Sequence, residues 1–218
     1  MKPLSLSTFA LALGGALAVP AAAQEAPKQE APPAAASAAK KAEPLKVGAT
    51  VAESLTLKDL SGKPVSFKEL RGKVVIVHFW SDRCPAEKHG DAVNKQLEEY
   101  YKGKDVAIIA IASNQNELGT EPAPGADYSK HYTNLRDKAK AVGFTHPVLL
   151  DHGNKVSDLF QAKSTPHCYV IDKKGTLAYA GALDEGPSTE NGRIYVRDAA
   201  DALLAGKEVE TKETKPYG

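Results

Sequence analysis

The sequence predicts an α/β domain with a central mixed β-sheet flanked by helices. A nearly continuous apolar run at 74–80 leads into an amphipathic helix at 85–101. A second apolar run at 106–111 lacks alternation, which is typical of a strand covered on both faces. Strand-like segments at 167–171 and 176–180 flank a turn that contains glycine, and they predict a hairpin. Strands that alternate with helices and end in a hairpin form a mixed sheet.

The other segments predict an N-terminal strand extension and an inserted loop and helix. Two short strands around a turn precede the main apolar run, and a polar loop rich in Pro and Gly follows the second strand. After that loop, helices and one short strand alternate until the chain closes on a last helix. The predicted elements are strands at 54–57 and 64–67, a helix at 129–142, a strand at 146–150, and helices at 154–160 and 195–205.

The composition changes along the chain and predicts four parts. A charged start, a short apolar run and small residues up to Ala23 are typical of a secretory signal peptide, 1–23. The Ala/Pro-rich segment 24–46 has almost no large apolar side chain, so we expect a flexible linker. One domain at 47–212 and a C-terminal tail at 213–218 follow. We therefore expect an exported, periplasmic protein without an integral membrane span after signal cleavage.

Charge and cysteine content exclude two classes of protein. The 218 residues include 28 Lys and Arg and 27 Asp and Glu, a formal net charge of +1. No basic block is interleaved with aromatic residues, so nucleic acid is not an expected partner. The two cysteines, Cys84 and Cys168, are too few for a small disulfide scaffold. Each cysteine is therefore expected to be either a reactive residue or a residue that packs in the core.

Cys84 is the candidate nucleophile. It follows the 74–80 strand and precedes Pro85, which suits the first turn of a helix. Free N–H groups and the positive end of the helix dipole converge there and favour thiolate over thiol. The alternative is a small apolar residue that ends a strand.

Cys168 has a different context, inside a predicted strand between apolar positions. The interpretation as a core residue is favoured, because free cysteine is often buried. The alternative is a resolving cysteine. A disulfide to Cys84 would need Cα atoms within ~7 Å of each other, and the sequence leaves that distance open.

Thr165-Pro166 immediately precedes a predicted strand, which favours a cis peptide bond close to Cys84. Together these features resemble the thioredoxin fold, and more closely the redoxin family of alkyl hydroperoxide reductase and thiol-specific antioxidant domains. The resemblance covers 47–212. Its anchors are 62–64, 79–85, 165–166, 170–175, 179–184 and 203–207.

The resemblance implies roles for the residues around Cys84. Disulfide oxidoreductases of this fold carry a cysteine where Ser81 stands, whereas peroxiredoxins carry Thr or Ser there, so Ser81-Asp-Arg-Cys84-Pro85 matches the second group. Ser81 is expected to donate a hydrogen bond to the Cys84 thiolate. Val77 stands where peroxiredoxins have a proline, and their peroxide-orienting arginine aligns near Pro166. Arg83 is the candidate substitute.

Four further residues are expected to form the substrate-binding face: Trp80, Pro85, Thr165 and Pro166. Trp80 is interpreted as a packing residue at the border of that face. Two polar residues of the following helix are interpreted differently. Glu87 is expected to cap the helix start, and His89 is expected at the surface, with a role as proton partner as the alternative.

The leading hypothesis is an exported thiol oxidoreductase of antioxidant type, with Cys84 as its single redox centre and without a cofactor or metal. Its expected partners are a thiol reductant, a disulfide-bearing protein or a small peroxide. One alternative is a periplasmic copper-binding protein that uses Cys84 and a histidine. Another is a non-catalytic redoxin module that binds a partner through the same face.

Overall fold

The computed structural model describes residues 43–189 and 192–218. The predicted signal peptide and all but the end of the predicted linker lie outside these residues. The strands are β1 Thr56–Asp59, β2 Pro64–Ser66, β3 Val74–Trp80, β4 Val106–Ala112, β5 Val148–Leu150, β6 His167–Ile171 and β7 Leu177–Gly181. The helices are α1 Glu87–Tyr100, α2 Gln115–Leu118, α3 Thr133–Val142, α4 Lys155–Phe160 and α5 Tyr195–Leu204.

The strands form one mixed sheet in the order β2-β1-β5-β4-β3-β6-β7. β3 is parallel to β4 and antiparallel to β6, so it lies at the centre of the sheet. The predicted neighbours of the 74–80 strand are therefore confirmed. This topology places the end of β3 beside the start of β6, and Phe79 pairs there with His167.

Burial on both faces explains why β3 is apolar at every position except His78. All seven of its residues are buried, and the first four alternate between two apolar clusters. Val74 and Ile76 contribute to the cluster that includes residues of α1 and α5. Val75, Val77 and Phe79 contribute to the cluster on the opposite side, which includes residues of α4. A strand between two helical layers is apolar at nearly every position.

Two helices differ from the prediction. The helix expected at 129–142 begins only at Thr133, because Tyr132 has a left-handed backbone (φ 58°) that separates it from a 3₁₀ turn at Tyr128–Lys130. The short helix α2 was not predicted, because its sequence Gln-Asn-Glu-Leu has no apolar periodicity. The Asn114 side chain caps α2 by accepting from the Asn116 N–H.

The packed domain is wider than the expected 47–212. The Leu45 N–H donates to the Leu159 carbonyl oxygen at 2.8 Å, so contacts begin within the predicted linker. At the other end, Glu213 forms a parallel bridge with Ala180 of β7, so the predicted tail adds to the sheet edge. Within 43–189 and 192–218, no helix has both the length and the apolarity needed to cross a bilayer.

Candidate active site

Cys84 lies in the turn that opens α1. Its carbonyl oxygen accepts from the Glu87 N–H at 3.1 Å, which starts the helical hydrogen-bond pattern two residues after the predicted helix start. The side chain is partly exposed. Its Sγ donates to the Thr165 carbonyl oxygen at 3.1 Å, and the Thr165–Pro166 peptide bond is cis. The structure therefore brings together the cysteine and the cis proline, as the sequence predicts.

Ser81 does not donate to Cys84, contrary to the expectation. Its hydroxyl donates to Glu117 Oε1 at 2.5 Å. The Ser81 oxygen instead accepts from the backbone N–H groups of Arg83 (3.2 Å) and Cys84 (3.1 Å). Because the single hydroxyl proton points to Glu117 in the unpredicted helix α2, Ser81 acts on the Cys84 backbone rather than on its sulfur.

The remaining predicted residues divide into exposed and buried groups. Arg83 is 58% exposed and lies 3.9 Å from the carboxylate of Asp82; Pro85 is also exposed. Trp80 is fully buried, and its indole N–H donates to Asp91 at 2.9 Å. The Trp80 side chain therefore has no exposed surface, and it packs in an apolar cluster with Leu118 of α2 and Leu135 of α3.

Glu87 does not cap the helix, contrary to the expectation. Its side chain is fully buried, and neither carboxyl oxygen has a hydrogen-bond partner among the described residues. Gly90 permits this arrangement, because an added Cβ would lie 2.9 Å from Glu87 Oε2 and 3.4 Å from the Pro166 ring. A side chain at residue 90 would thus disturb both Glu87 and the cis-proline contact.

Burial raises the pKa of Glu87 to about 9, and the negative charges of Asp91 and Cys84 add to this rise. Lys138 opposes the shift, and its ammonium lies 2.6 Å from Asp91. Glu87 therefore holds its proton at neutral pH while it is electrostatically coupled to Cys84. Glu87, Asp91 and Asn94 form a buried polar group on α1. Their helical spacing, which places them on one face, is a signal that the sequence contains.

His89 is not a free surface residue. Its Nε2 lies 2.6 Å from Asp184 Oδ2, and its side chain is 28% exposed. Asp184 is buried and follows β7 in the chain. The sequence separation of 95 residues explains why local spacing did not reveal this pair.

Cys168 is a core residue. It is fully buried between His78 of β3 and Gly181 of β7, and both cysteines are free thiols. Burial raises the pKa of the Cys168 thiol well above its usual range, and the nearby Glu87 and Asp184 raise it further. These conditions suppress thiolate formation at Cys168 and block access to it.

We expect a thiol-alkylating reagent at neutral pH to modify Cys84 and to leave Cys168 untouched until the protein unfolds, as read by mass spectrometry of peptides. Cys168→Ser should lower the free energy of unfolding by about 1–3 kcal/mol, because it places a hydroxyl in an apolar site. Cys84→Ser is the control and should change stability little. A native Cys84–Cys168 disulfide would contradict this assignment.

In the part of the chain that the structure describes, no group of three or more His, Cys, Asp or Glu side chains is arranged to hold a metal ion. His89, a histidine on the same helix as the Cys84 turn, has its Nε2 2.6 Å from Asp184 Oδ2.

The chain is similar to known thiol-based redox proteins. The chain is 30% identical over 127 residues to the thiol-disulfide oxidoreductase ResA of Bacillus cereus, covering 58% of this chain and 64% of that protein. It is 31% identical over 138 residues to the chloroplastic peroxiredoxin Q of Triticum aestivum, covering 60% of this chain and 56% of that protein. The chain therefore spans less than two thirds of the length of either relative.

A solved structure agrees with the fold. The crystal structure of a thiol:disulfide interchange protein of the thioredoxin family from Chlorobium tepidum superposes with a TM-score of 0.53 at 21% identity, over 76% of this chain and 99% of that chain. The thioredoxin-like fold predicted from the sequence is confirmed. The AhpC/TSA family model matches residues 48–180, which hold β3, Cys84 and Pro166. This chain belongs to the AhpC/TSA family.

Proposed function

We propose that the protein is an exported thiol oxidoreductase in which Cys84 is the single redox centre. The observation that carries the proposal is the position of the Cys84 sulfur. It is partly exposed in the turn before α1 and lies 3.1 Å from the Thr165 carbonyl oxygen, next to Pro166. A peroxide or disulfide that docks against this backbone reaches the sulfur directly.

The peroxide reaction needs two external thiols, because Ser81 occupies the place of a second cysteine. The Cys84 thiolate attacks one peroxide oxygen, the O–O bond breaks, and the leaving oxygen takes up a proton, which leaves a sulfenic acid on Cys84. The first thiol then condenses with the sulfenic acid and releases water. The second thiol attacks the resulting mixed disulfide, restores Cys84 and leaves as a disulfide.

A disulfide-bearing substrate enters the same cycle at the mixed disulfide. The Cys84 thiolate attacks one of its two sulfurs, and the other sulfur leaves as a thiolate. An external thiol then releases the bound half and regenerates Cys84. The names of the two relatives, a thiol-disulfide oxidoreductase and a peroxiredoxin, support one substrate class each.

Glu87 supplies a proton-exchanging group beside this chemistry. It is protonated at neutral pH because its pKa is raised to about 9, and its charge is coupled to that of Cys84. The Lys138–Asp91 ion pair also acts on its charge, Asp91 raising the pKa of Glu87 and Lys138 lowering it. We assign Glu87 as the group that holds a proton while Cys84 is a thiolate and can release it when Cys84 loses that negative charge.

Export is supported by the sequence 1–23, which has the charged start, apolar run and small residues of a signal peptide. In an oxidising compartment the reductant must be a thiol protein or small thiol delivered there. Fractionation of cells that express the full chain should place the mature protein outside the cytoplasm. Retention of the uncleaved chain in the cytoplasm would contradict export.

The decisive experiment measures turnover of hydrogen peroxide and of a small disulfide with a thiol reductant in excess. We expect the wild type to turn over at least one of them and Cys84→Ser to fall to the background rate, because no other accessible thiol is described. Cys168→Ala is the matched control and should keep the activity, since it removes the buried thiol and leaves the site apolar.

Turnover that survives in Cys84→Ser would contradict the proposal. So would a loss of turnover in Cys168→Ala with an unchanged melting curve, because Cys168 would then take part in the reaction. Comparison of the two substrates separates peroxidase from disulfide reductase chemistry.

A further inference from the structure

The segment 213–218, here called the C-terminal strap, crosses the face on which a substrate of Cys84 would dock. We propose that the strap determines the size of the substrates that reach Cys84: small peroxides and thiols pass, whereas a protein must first displace it. The proposal rests on the assignment of Cys84 as the reacting thiol.

The base of the strap is fixed to the edge of the sheet. The Thr214 N–H donates to the Ala180 carbonyl oxygen at 3.1 Å. The Thr214 hydroxyl accepts from the Ala182 N–H at 2.8 Å and lies 2.5 Å from the Tyr179 hydroxyl. Gly181 allows this close approach, because a Cβ there would overlap Thr214. The strap is therefore held in register with β7 and does not lie there by chance.

The middle of the strap contacts the polar groups beside the active site. The Tyr217 hydroxyl donates to Asp184 Oδ1, while His89 lies on the other oxygen of the same carboxylate. The Tyr217 carbonyl oxygen accepts from the Ser164 hydroxyl at 3.3 Å. Tyr217 thus ties the strap to α1 through its side chain and Asp184, and to the loop that carries the cis proline through its backbone carbonyl.

The last residue of the strap covers the backbone that positions Cys84. A Cβ built on Gly218 would overlap the Thr165 carbonyl oxygen and lie 3.3 Å from the Thr165 nitrogen. The same carbonyl oxygen accepts from Cys84 Sγ. The strap and the reacting sulfur therefore meet at one atom, and a bulky partner cannot reach Thr165 while Gly218 is in place.

The end of the strap is held by few contacts. An open cavity of about 560 Å³ is lined by strap residues together with Ala182, Asp184, Glu185 and Tyr195. Tyr217 is half-buried and packs against the edge of the apolar cluster that includes residues of α1 and α5. It also makes the hydrogen bonds to Asp184 and Ser164, and Gly218 is exposed. Breaking one or two such hydrogen bonds is accessible to thermal motion.

The test compares two maleimides with the same reactive group, N-ethylmaleimide and a maleimide that carries a long polyethylene glycol chain. Their second-order rate constants with Cys84 are measured for the full chain at neutral pH. We expect Tyr217→Ala to raise the rate with the large reagent about tenfold, as for the loss of one hydrogen bond of ~1.4 kcal/mol. The rate with N-ethylmaleimide should change less than about twofold, since a small reagent already passes the strap.

Two other variants and one control test whether the strap itself limits the rate with the large reagent. Tyr217→Phe removes only the hydroxyl, and Gly218→Ala lifts the strap through the overlap with Thr165; both should raise the rate with the large reagent selectively. Tyr100→Phe is the matched control, because it also removes a tyrosine hydroxyl that donates to an aspartate, Asp201, at 2.9 Å. It should change neither rate.

An unchanged ratio of the two rates in both Tyr217→Ala and Gly218→Ala, with Cys84 still reactive, would overturn the strap and leave the proposed function intact. A Cys84 that resists both reagents in every variant would overturn the proposed function and the strap with it. Melting curves of all variants confirm that the comparison is made between folded proteins.

Discussion

Glu87→Gln is expected to stabilise the protein at neutral pH by on the order of 3 kcal/mol. The folded state raises the pKa of Glu87 from 4.5 to about 9 because the side chain is buried beside Asp91 and Cys84. Between these two pH values the unfolded chain ionises Glu87 and the folded chain does not, which favours unfolding. Glutamine has nearly the same shape and does not ionise. The unfolded state of the variant therefore gains no free energy from ionisation at residue 87.

The sign of the pH dependence follows from the raised pKa. The contribution of Glu87 to stability is fully present below pH 4.5 and is lost progressively as the pH rises to about 9. The difference between Glu87→Gln and wild type should therefore grow with pH across this window. Denaturant unfolding at several pH values measures it.

Glu99→Gln is the matched control, since Glu99 is an exposed carboxylate on the same helix. We expect it to leave both the stability and its pH dependence close to those of wild type. A Glu87→Gln protein with the pH profile of wild type would show that Glu87 ionises freely in the folded state, and its assigned role in proton exchange would be lost.

Ser81→Cys is expected to convert a single-thiol protein into one that forms an internal disulfide with Cys84. The Ser81 side chain already points at the Cys84 backbone, with its oxygen 3.1 Å from the Cys84 nitrogen. A thiol at this position recreates the Cys-x-x-Cys arrangement of the fold's disulfide oxidoreductases. The second sulfur then resolves the mixed disulfide from within the chain.

The expected readouts are a mass loss of two hydrogens on oxidation and a gain in the rate of protein-disulfide reduction. Ser81→Ala is the control, because it loses the hydrogen bond to Glu117 without adding a thiol. It should form no disulfide and show no gain. If Ser81→Cys stays fully reduced under mild oxidant while remaining folded, the turn at 81–84 does not have the geometry of a disulfide.

The sequence determined the elements whose burial is encoded by periodicity. The nearly continuous apolar run at 74–80 is β3 with unchanged bounds, since a strand covered on both faces is apolar at nearly every position. Cys84 at the start of α1 and the cis bond at Pro166 also followed from local chain chemistry. The two long apolar strands and the amphipathic helices could therefore be predicted to within a few residues.

The tertiary structure alone decided which polar groups meet at the site. Ser81 donates to Glu117, 36 residues away, because the sheet order places α2 above the end of β3. His89 and Tyr217 share Asp184 because the strap returns along β7. Glu87 looks like a helix cap in the sequence and is instead fully buried, close to Gly90 and the Pro166 ring.

The physical reason for this division is the range of the interactions. Periodicity records which face of one element is covered, and that information is local to ten or twenty residues. A hydrogen bond or a shifted pKa depends on the partner that the topology brings near, and that partner can lie anywhere in the chain. The position of Cys84 at the start of a helix could be predicted from its own neighbourhood, whereas the burial of Glu87 near it and the path of segment 213–218 beside it depend on the assembled sheet.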